Sequence, residues 1–278
     1  MGMMKNRRWM AALAGAWIAA APAAAQTLNA PDTAAQRSPR LFTRRDLYIA
    51  GGFVAGAAAM TPLDRRLTNA LQDSSVQESK ILSGSARGVR LLASPGSLII
   101  SGGLFAAGRA FNRPHLADTG LHTFESVLLA EGITNFSKMV AGRRRPFVSP
   151  DDASNYQLGG GLHDDTRRSM PSGHSSAAFA TASALSSEVG HWWPQHRTLA
   201  AVTLYSAAGL VGVSRLYNNK HWASDVVIGA GIGTFSGWKV VGYTHAHPDN
   251  PVDRFLLRTR VAPTANGGMA IVWSSQGN

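Results

Sequence analysis

The chain has 278 residues, with 27 lysines and arginines against 16 aspartates and glutamates, a formal net charge of +11 and no cysteine. The lack of cysteine excludes disulfides, thiolate metal sites and cysteine-based catalysis. The excess of positive charge suits an anionic substrate, an anionic lipid surface or nucleic acid. The dense basic clusters lack the interleaved aromatic residues of single-strand binders, so we expect no nucleic-acid partner.

The first 25 residues have the organisation of a secretory signal peptide. Lys5, Arg7 and Arg8 precede an alanine-rich apolar run, and an Ala-x-Ala-like cleavage site ends at Ala25. The run is short for an uncleaved membrane anchor, which is the alternative interpretation. Residues 26–41 are polar, contain proline and lack periodicity, and this predicts a flexible linker. We therefore expect an exported protein, periplasmic or associated with a membrane of the cell envelope.

From residue 42 onward, apolar stretches separated by prolines and polar breaks predict an all-α domain over residues 42–247. The predicted helices are 45–60, 63–82, 96–111, 116–141, 174–190, 197–213 and 221–242. About six of them would form the core of a bundle. The tail, residues 248–278, contains short apolar runs around Asn266-Gly267, which is typical of a β-hairpin packed on the bundle.

Near the start of the last predicted helix, His221 and Asp225 are four residues apart, a spacing that places both on one helix face. A carboxylate there can orient an imidazole and stabilise its positive charge, as in an activated nucleophile or base. Arg215, a few residues upstream, offers a planar cation suited to phosphate oxygens.

Two earlier segments add to this set. Pro171-Ser172-Gly173-His174 indicates a helix start whose free N–H groups can bind an anion beside an imidazole. Lys138, and Arg145 before Pro146, supply two more cations at a helix end. If neighbouring helices are antiparallel, all these ends meet at one end of the bundle.

Together the three segments form the pattern Lys-x6-Arg-Pro, Pro-Ser-Gly-His and Ser-Arg-x5-His-x3-Asp. In this pattern the chain resembles the type 2 phosphatidic-acid phosphatases, which share their fold with class A acid phosphatases and vanadium haloperoxidases. The resemblance covers roughly residues 118 to 243 and implies site roles for eight residues. His221 would be the nucleophile, Asp225 its partner and His174 the acid, while Lys138, Arg145, Ser172, Gly173 and Arg215 would bind phosphate.

The resemblance implies hydrolysis of phosphate monoesters or lipid (di)phosphates through a phosphohistidine, without a metal or another cofactor. The substrate would be a phosphorylated small molecule or lipid, and a membrane surface is a candidate partner. Two alternatives are a vanadium-dependent haloperoxidase and a non-catalytic envelope protein that binds anionic lipid. The pattern does not indicate an oligomeric state.

Two further segments contain residues that suggest a functional role. The long loop 147–170 is predicted to be a lid or selectivity loop, or equally a tolerated insertion. Its His163-Asp164-Asp165 turn and the later pair His245 and His247 resemble metal-ligand spacings. In each case a polar turn is the favoured interpretation, so no metal site is predicted.

Overall fold

The structure, a computed structural model, describes residues 42–263 and 269–273, so the predicted signal peptide and linker lie outside the described residues. The chain first forms five helices. These are α1 (Arg44–Met60), α2 (Asp64–Leu71), α3 (Ser74–Gln77), α4 (Lys80–Arg90) and α5 (Gly96–Ala110). The Thr43 hydroxyl and the Asp46 carboxylate accept each other's backbone N–H groups, and this capping box begins α1.

Longer helices follow and form the centre of the bundle. These are α6 (Pro114–Ala141), α7 (Gly173–Trp192), α8 (Arg197–Tyr217) and α9 (Ala223–Ala246). A short helix, α10 (Pro251–Arg258), precedes an antiparallel pair of strands, β1 (Thr259–Pro263) and β2 (Met269–Trp273). The described residues therefore confirm the predicted helical bundle with a short C-terminal hairpin.

The helix bounds predicted from prolines and polar breaks in the sequence agree with the observed bounds of α5 to α9 to within a few residues. The predicted single helix 63–82 is wrong, because the chain breaks after Leu71 and two short helices start from new caps. The Asp73 carboxylate caps α3 by accepting a backbone N–H at 3.0 Å, and the Ser79 hydroxyl caps α4. Helix α10 was not predicted either; its cap is Asn250, whose side-chain oxygen accepts two N–H groups of the first turn.

Helices α7 and α9 approach each other closely because small residues line their contact. A Cβ added to Gly233 would lie 2.2 Å from the carbonyl oxygen of Ser176, so only glycine allows this approach. Serine hydroxyls join the two helices: Ser176 donates to the Gly229 carbonyl at 3.1 Å, and Ser183 to the Thr234 carbonyl at 2.8 Å. The contact fixes the starts of α7 and α9 side by side.

Two helical stretches, Arg44–Leu71 and Pro194–Tyr217, are long and apolar enough to cross a bilayer. In the most apolar part of the first stretch only 11% of the residues are buried in the protein, against 44% in the second. The first stretch therefore presents most of its apolar residues to the surroundings of the bundle.

Helix α6 carries a second apolar surface, which we call the α6 stripe. It consists of Leu129, Ile133, Phe136 and Val140, whose spacing of three or four residues places them on one helix face. These side chains are 38 to 65% exposed. The stripe runs toward the C-terminal end of α6.

Candidate active site

The residues of the three motifs lie at the ends of four helices. Lys138 is in the last turn of α6, and Arg215 is in the last turn of α8. Ser172 caps α7, and His221 immediately precedes the cap of α9. Because α6 and α8 end where their successors begin, these side chains gather at one end of the bundle.

A backbone hydrogen bond joins the starts of α7 and α9: the Ser172 N–H donates to the Asp225 carbonyl at 3.0 Å. The Ser172 hydroxyl accepts the hydroxyl of Ser175 at 2.9 Å and lies 3.4 Å from its N–H, as a helix cap does. Ser172 and Asp225 are fully buried. The positive ends of two helix dipoles therefore meet where the sequence predicts an anion seat.

The ammonium group of Lys138 lies against the start of α7. A Cβ built on Gly173 would be 3.0 Å from Lys138 Nζ and 3.7 Å from Glu131 Oε2. Because Gly173 has no side chain, the space next to the Lys138 ammonium group stays open. Burial lowers the pKa of Lys138 to about 8; Glu131 opposes this shift, whereas Arg145 and Arg168 reinforce it.

The imidazole of His221 is only 3% exposed, and its Nδ1 lies 2.6 Å from the carbonyl oxygen of Ser169. A carbonyl only accepts, so Nδ1 carries the proton and Nε2 keeps its lone pair. Burial lowers the pKa of His221 well below its ordinary value of 6.5, and the charges of Lys138, Arg145 and Arg215 lower this pKa further. At neutral pH the imidazole is therefore neutral, as a nucleophile requires.

Asp225 reaches His221 indirectly, which differs from the direct pair expected from the sequence. Its Oδ2 lies 3.9 Å from His221 Nδ1, too far for a hydrogen bond. The same oxygen accepts the Ser169 hydroxyl at 2.6 Å and the Trp222 N–H at 2.9 Å. Asp225 therefore holds the residue whose carbonyl orients the imidazole.

Behind this pair lies a buried ion cluster centred on Arg143, which is 1% exposed. Its Nη1 donates to Asp225 Oδ1 at 2.5 Å, and its Nη2 donates to Asp64 Oδ2 at 2.8 Å. Asp64 also accepts the N–H and the hydroxyl of Ser224 at 2.9 and 2.6 Å. Burial raises the pKa of Asp225, whereas the charge of Arg143 opposes that shift.

Arg143 and Asp64 were missed as site residues by the sequence analysis. Arg143 belongs to a run of three arginines, a pattern typical of a solvated surface, and Asp64 belongs to no motif. Their role depends on tertiary contacts between α2, the chain after α6 and α9. The run of arginines was the available signal, but it does not tell which member is buried.

The segment 147–170 packs back on the chain that leaves α6. Three backbone hydrogen bonds of 2.9 to 3.1 Å fix it: Arg144 N–H to the Asn155 carbonyl, Arg145 N–H to the Thr166 carbonyl, and Ser169 N–H to the Arg143 carbonyl. The Tyr156 ring covers the Arg143 guanidinium at 5.2 Å. In this structure the segment positions the Ser169 carbonyl against the imidazole of His221.

The acidic turn within this segment serves protein contacts. Oδ1 of Asp164 accepts the N–H and the hydroxyl of Thr166 at 2.8 and 2.6 Å. The Asp165 carbonyl accepts Arg145 Nε at 3.2 Å, and its carboxylate lies 3.8 Å from the same guanidinium. These contacts agree with the polar-turn interpretation.

His174 is the second residue of α7 and is half-buried. Its backbone therefore lies next to the Ser172 and Gly173 anion seat, at the same end of the bundle as His221. Its part as a proton donor stays a prediction.

Residues 119–249 match the model of the PAP2 superfamily. The lipid A 1-phosphatase of Porphyromonas gingivalis is 40% identical over 87 residues, which are 31% of this chain and 19% of that protein. The match therefore spans about a fifth of this curated relative.

Among solved structures, the transmembrane PAP2 type phosphatidylglycerolphosphate phosphatase from Bacillus subtilis aligns with 68% of this chain and 96% of that chain. The identity is 21% and the TM-score 0.33, a likeness too low to carry an argument about the site.

Proposed function

We propose that the protein is a metal-independent phosphatase of lipid phosphates, acting through a phosphohistidine at His221. The match of residues 119–249 to the PAP2 superfamily model supports this class of enzyme. The family match confirms the resemblance drawn from the three motifs. The observation that carries the proposal is a neutral, buried His221 whose Nδ1–H is held by the Ser169 carbonyl. Lys138, Arg145 and Arg215 are near enough to lower the pKa of His221, and their charges support a phosphoryl-binding site around this imidazole.

In the first step, His221 Nε2 attacks phosphorus opposite the ester oxygen. The P–N bond forms as the P–O bond breaks, and the leaving oxygen takes a proton from His174. Lys138, Arg145 and Arg215 stabilise the charge on the equatorial oxygens. The imidazole becomes cationic as the P–N bond forms, and Asp225 stabilises that charge through Ser169 and at a distance.

In the second step, His174, now neutral, takes a proton from water. The water oxygen attacks the phosphohistidine, the P–N bond breaks, and inorganic phosphate leaves with His221 neutral again. The step returns the proton to His174, so the cycle needs no oxidant, metal or other co-reactant.

A lipid substrate is favoured by the α6 stripe, which runs on the same helix toward Lys138. The stripe lies on the face of α6 opposite Lys138, so it suits contact with a lipid surface that would present the phosphate to the site. The similarity to a lipid A 1-phosphatase over 31% of this chain agrees with this class. We propose that the protein is exported and works at a membrane surface with its catalytic end toward the lipid.

The activity test is a phosphate-release panel on the full chain in the presence of EDTA. Its substrates are phosphatidic acid, lipid A 1-phosphate, a polyprenyl diphosphate and p-nitrophenyl phosphate. We expect release from at least one lipid, and a loss of at least about 1,000-fold in His221→Gln, because the nucleophile is gone. No release by the wild type, or turnover retained in His221→Gln, contradicts the proposal. Halide oxidation with added vanadate would instead identify a haloperoxidase.

The substrate class is tested by Phe136→Ser in the α6 stripe. We expect kcat/KM for the preferred lipid in mixed micelles to fall by about tenfold, and that for p-nitrophenyl phosphate to stay unchanged, because only lipid uses the stripe. Leu199→Ser is the matched control, since Leu199 is 69% exposed at the start of α8, away from the site. An equal loss on both substrates, or an equal loss in the control, contradicts the lipid assignment.

A further inference from the structure

A second cluster of polar side chains lies at the opposite end of the bundle. His122 is near the start of α6, while Glu188 and His245 are near the ends of α7 and α9. At a rise of 1.5 Å per residue, Glu188 is roughly 20 Å along α7 from His174. The proposed phosphatase mechanism uses none of these three residues.

We propose that His122, Glu188 and His245 form a binding site for a transition-metal ion of the zinc type. One donor atom from each lies within 4.8 Å of the other two. Glu188 Oε1 lies 2.6 Å from His122 Nδ1 and 3.1 Å from His245 Nε2. Tetrahedral zinc with bonds of about 2.0 to 2.1 Å holds its donors about 3.3 Å apart, so small side-chain shifts complete the site.

The donor set fits this chemistry. Two imidazoles and one carboxylate are a common ligand set of zinc, and the fourth position is left for water or an exogenous ligand. His122 and Glu188 are buried, and the carboxylate of Glu188 also accepts Trp192 Nε1–H at 2.8 Å. The His245 side chain is 21% exposed, which gives an ion a route from solvent past its ring.

A second observation points to the same site. Asp253 of α10, which is 4% exposed, places Oδ2 3.3 Å from His122 Nε2. A carboxylate on the far nitrogen of a ligating imidazole fixes its tautomer and raises its basicity, as in carboxylate–histidine–zinc arrangements. The other oxygen, Oδ1, is buried without a hydrogen-bond partner among the described residues. One buried carboxylate oxygen of the cluster therefore has no hydrogen-bond donor among the described residues.

A proton is the competitor of the metal. Without a metal, hydrogen bonds to Asp253 and Glu188 raise the pKa of His122 to about 10 despite its burial. The imidazolium then bridges the two carboxylates. On metal binding the proton on His122 Nδ1 leaves to solvent and a metal–nitrogen bond replaces the N–H bond. The other proton stays on His122 Nε2, which still donates it in a hydrogen bond to Asp253.

Sequence spacing alone could not find this site. In the sequence, the spacing of His245 and His247 favours a polar turn after a helix. In the structure His245 lies on α9 and meets Glu188 of α7, 57 positions earlier in the chain. His247 instead stacks on Tyr243 and contacts its carbonyl.

The experiment measures zinc bound to the purified full chain after equilibration with zinc sulfate and gel filtration. We expect about one zinc per chain in the wild type, and affinity at least about tenfold weaker in His245→Gln. His247→Gln is the matched control, because it makes the same chemical change two residues away. Zinc should raise the Tm of the wild type and the control, and should raise that of His245→Gln less.

If the wild type retains no zinc and its Tm does not respond, or if His245→Gln binds as tightly as the control, the proposal is wrong. Titration of the EDTA-treated wild type with Co²⁺ is a second measurement that needs no variant. A tetrahedral Co²⁺ absorption spectrum, abolished by excess zinc, supports the site, and its absence contradicts it. The outcome is independent of the phosphatase proposal, because zinc content and Tm do not report turnover.

Discussion

Substituting Gly173 by alanine probes the contact between Lys138 and the start of α7. The added Cβ would lie 3.0 Å from Lys138 Nζ. Optimal separations of non-bonded heavy atoms are about 3.5 to 4.0 Å, so the ammonium must withdraw by about half an ångström. The next neighbours, Glu131 Oε2 at 3.7 Å and Thr134 Cγ2 at 3.8 Å, are at ordinary contact distance. The strain therefore falls on the cation that we assign to phosphate binding.

A displacement of 1 Å in a catalytic site can cost about 100-fold in rate, so half of that predicts about tenfold, or about 1.4 kcal/mol. We expect kcat/KM for p-nitrophenyl phosphate to fall by about this factor. The Tm should change little, because the lysine side chain can move and Gly173 is in the first turn of α7.

Gly132→Ala is the matched control. Gly132 lies on α6, as Lys138 does, and apart from the adjoining backbone of α6 nothing lies within 4 Å of the Cβ added there. The control should keep full activity and gain stability of about 0.5 to 1 kcal/mol from helix propensity. Activity of Gly173→Ala within about twofold of the wild type, or an equal loss in Gly132→Ala, would refute the reasoning.

Three further predictions concern the groups around His221. Asp64→Asn should lower the free energy of unfolding, measured in urea, by about 3 to 5 kcal/mol, because it removes a buried charged partner of Arg143. The control Asp151→Asn, which breaks an exposed ion pair, should lower it by less than about 1 kcal/mol. Equal losses in the two variants would contradict the role of the buried cluster. Ser169→Ala should lower kcat by about tenfold with KM unchanged, because it removes the 2.6 Å hydrogen bond to Asp225 but keeps the carbonyl that holds His221; a change confined to KM would oppose the positioning role. The value of kcat/KM should decline as pH rises through about 8, since Lys138 loses its charge above its pKa. Lys138→Arg should move this decline to higher pH, even if the absolute rate of the variant is lower. A decline at the same pH in the variant would show that another group causes it.

The fold was largely predictable because the main helices are apolar runs interrupted by proline. Pro114 and Pro194 stand where helical segments begin, and the segments before and after them were predicted as separate helices. The region after α1 was not predictable in the same way. There the Asp73 cap divides a stretch whose sequence predicts one helix. The free energy that a single cap contributes is similar in size to the differences in helix propensity, so the sequence does not decide between them.

The site was predictable to the extent that helix ends specify it. Antiparallel connection alone predicts Lys138, His174 and Arg215 at one end of the bundle, and in the structure they lie at the helix ends that meet there. The Ser169 carbonyl was not predictable, because any residue can offer a carbonyl and its position depends on how 147–170 folds back. Arg143 shows the same limit, since its burial results from partners on α2 and α9.

The most direct test of the account is to identify the residue that carries the phosphoryl group during turnover. The His174→Ala variant, mixed with p-nitrophenyl phosphate and quenched in alkali, should accumulate phosphoenzyme, because a good leaving group needs no acid whereas hydrolysis of the P–N bond lacks its base. Mass spectrometry should then place the phosphoryl group on the peptide that contains His221, with none in His174→Ala/His221→Gln. A phosphoryl group on any other residue, or full turnover with none on His221, would contradict the central claim.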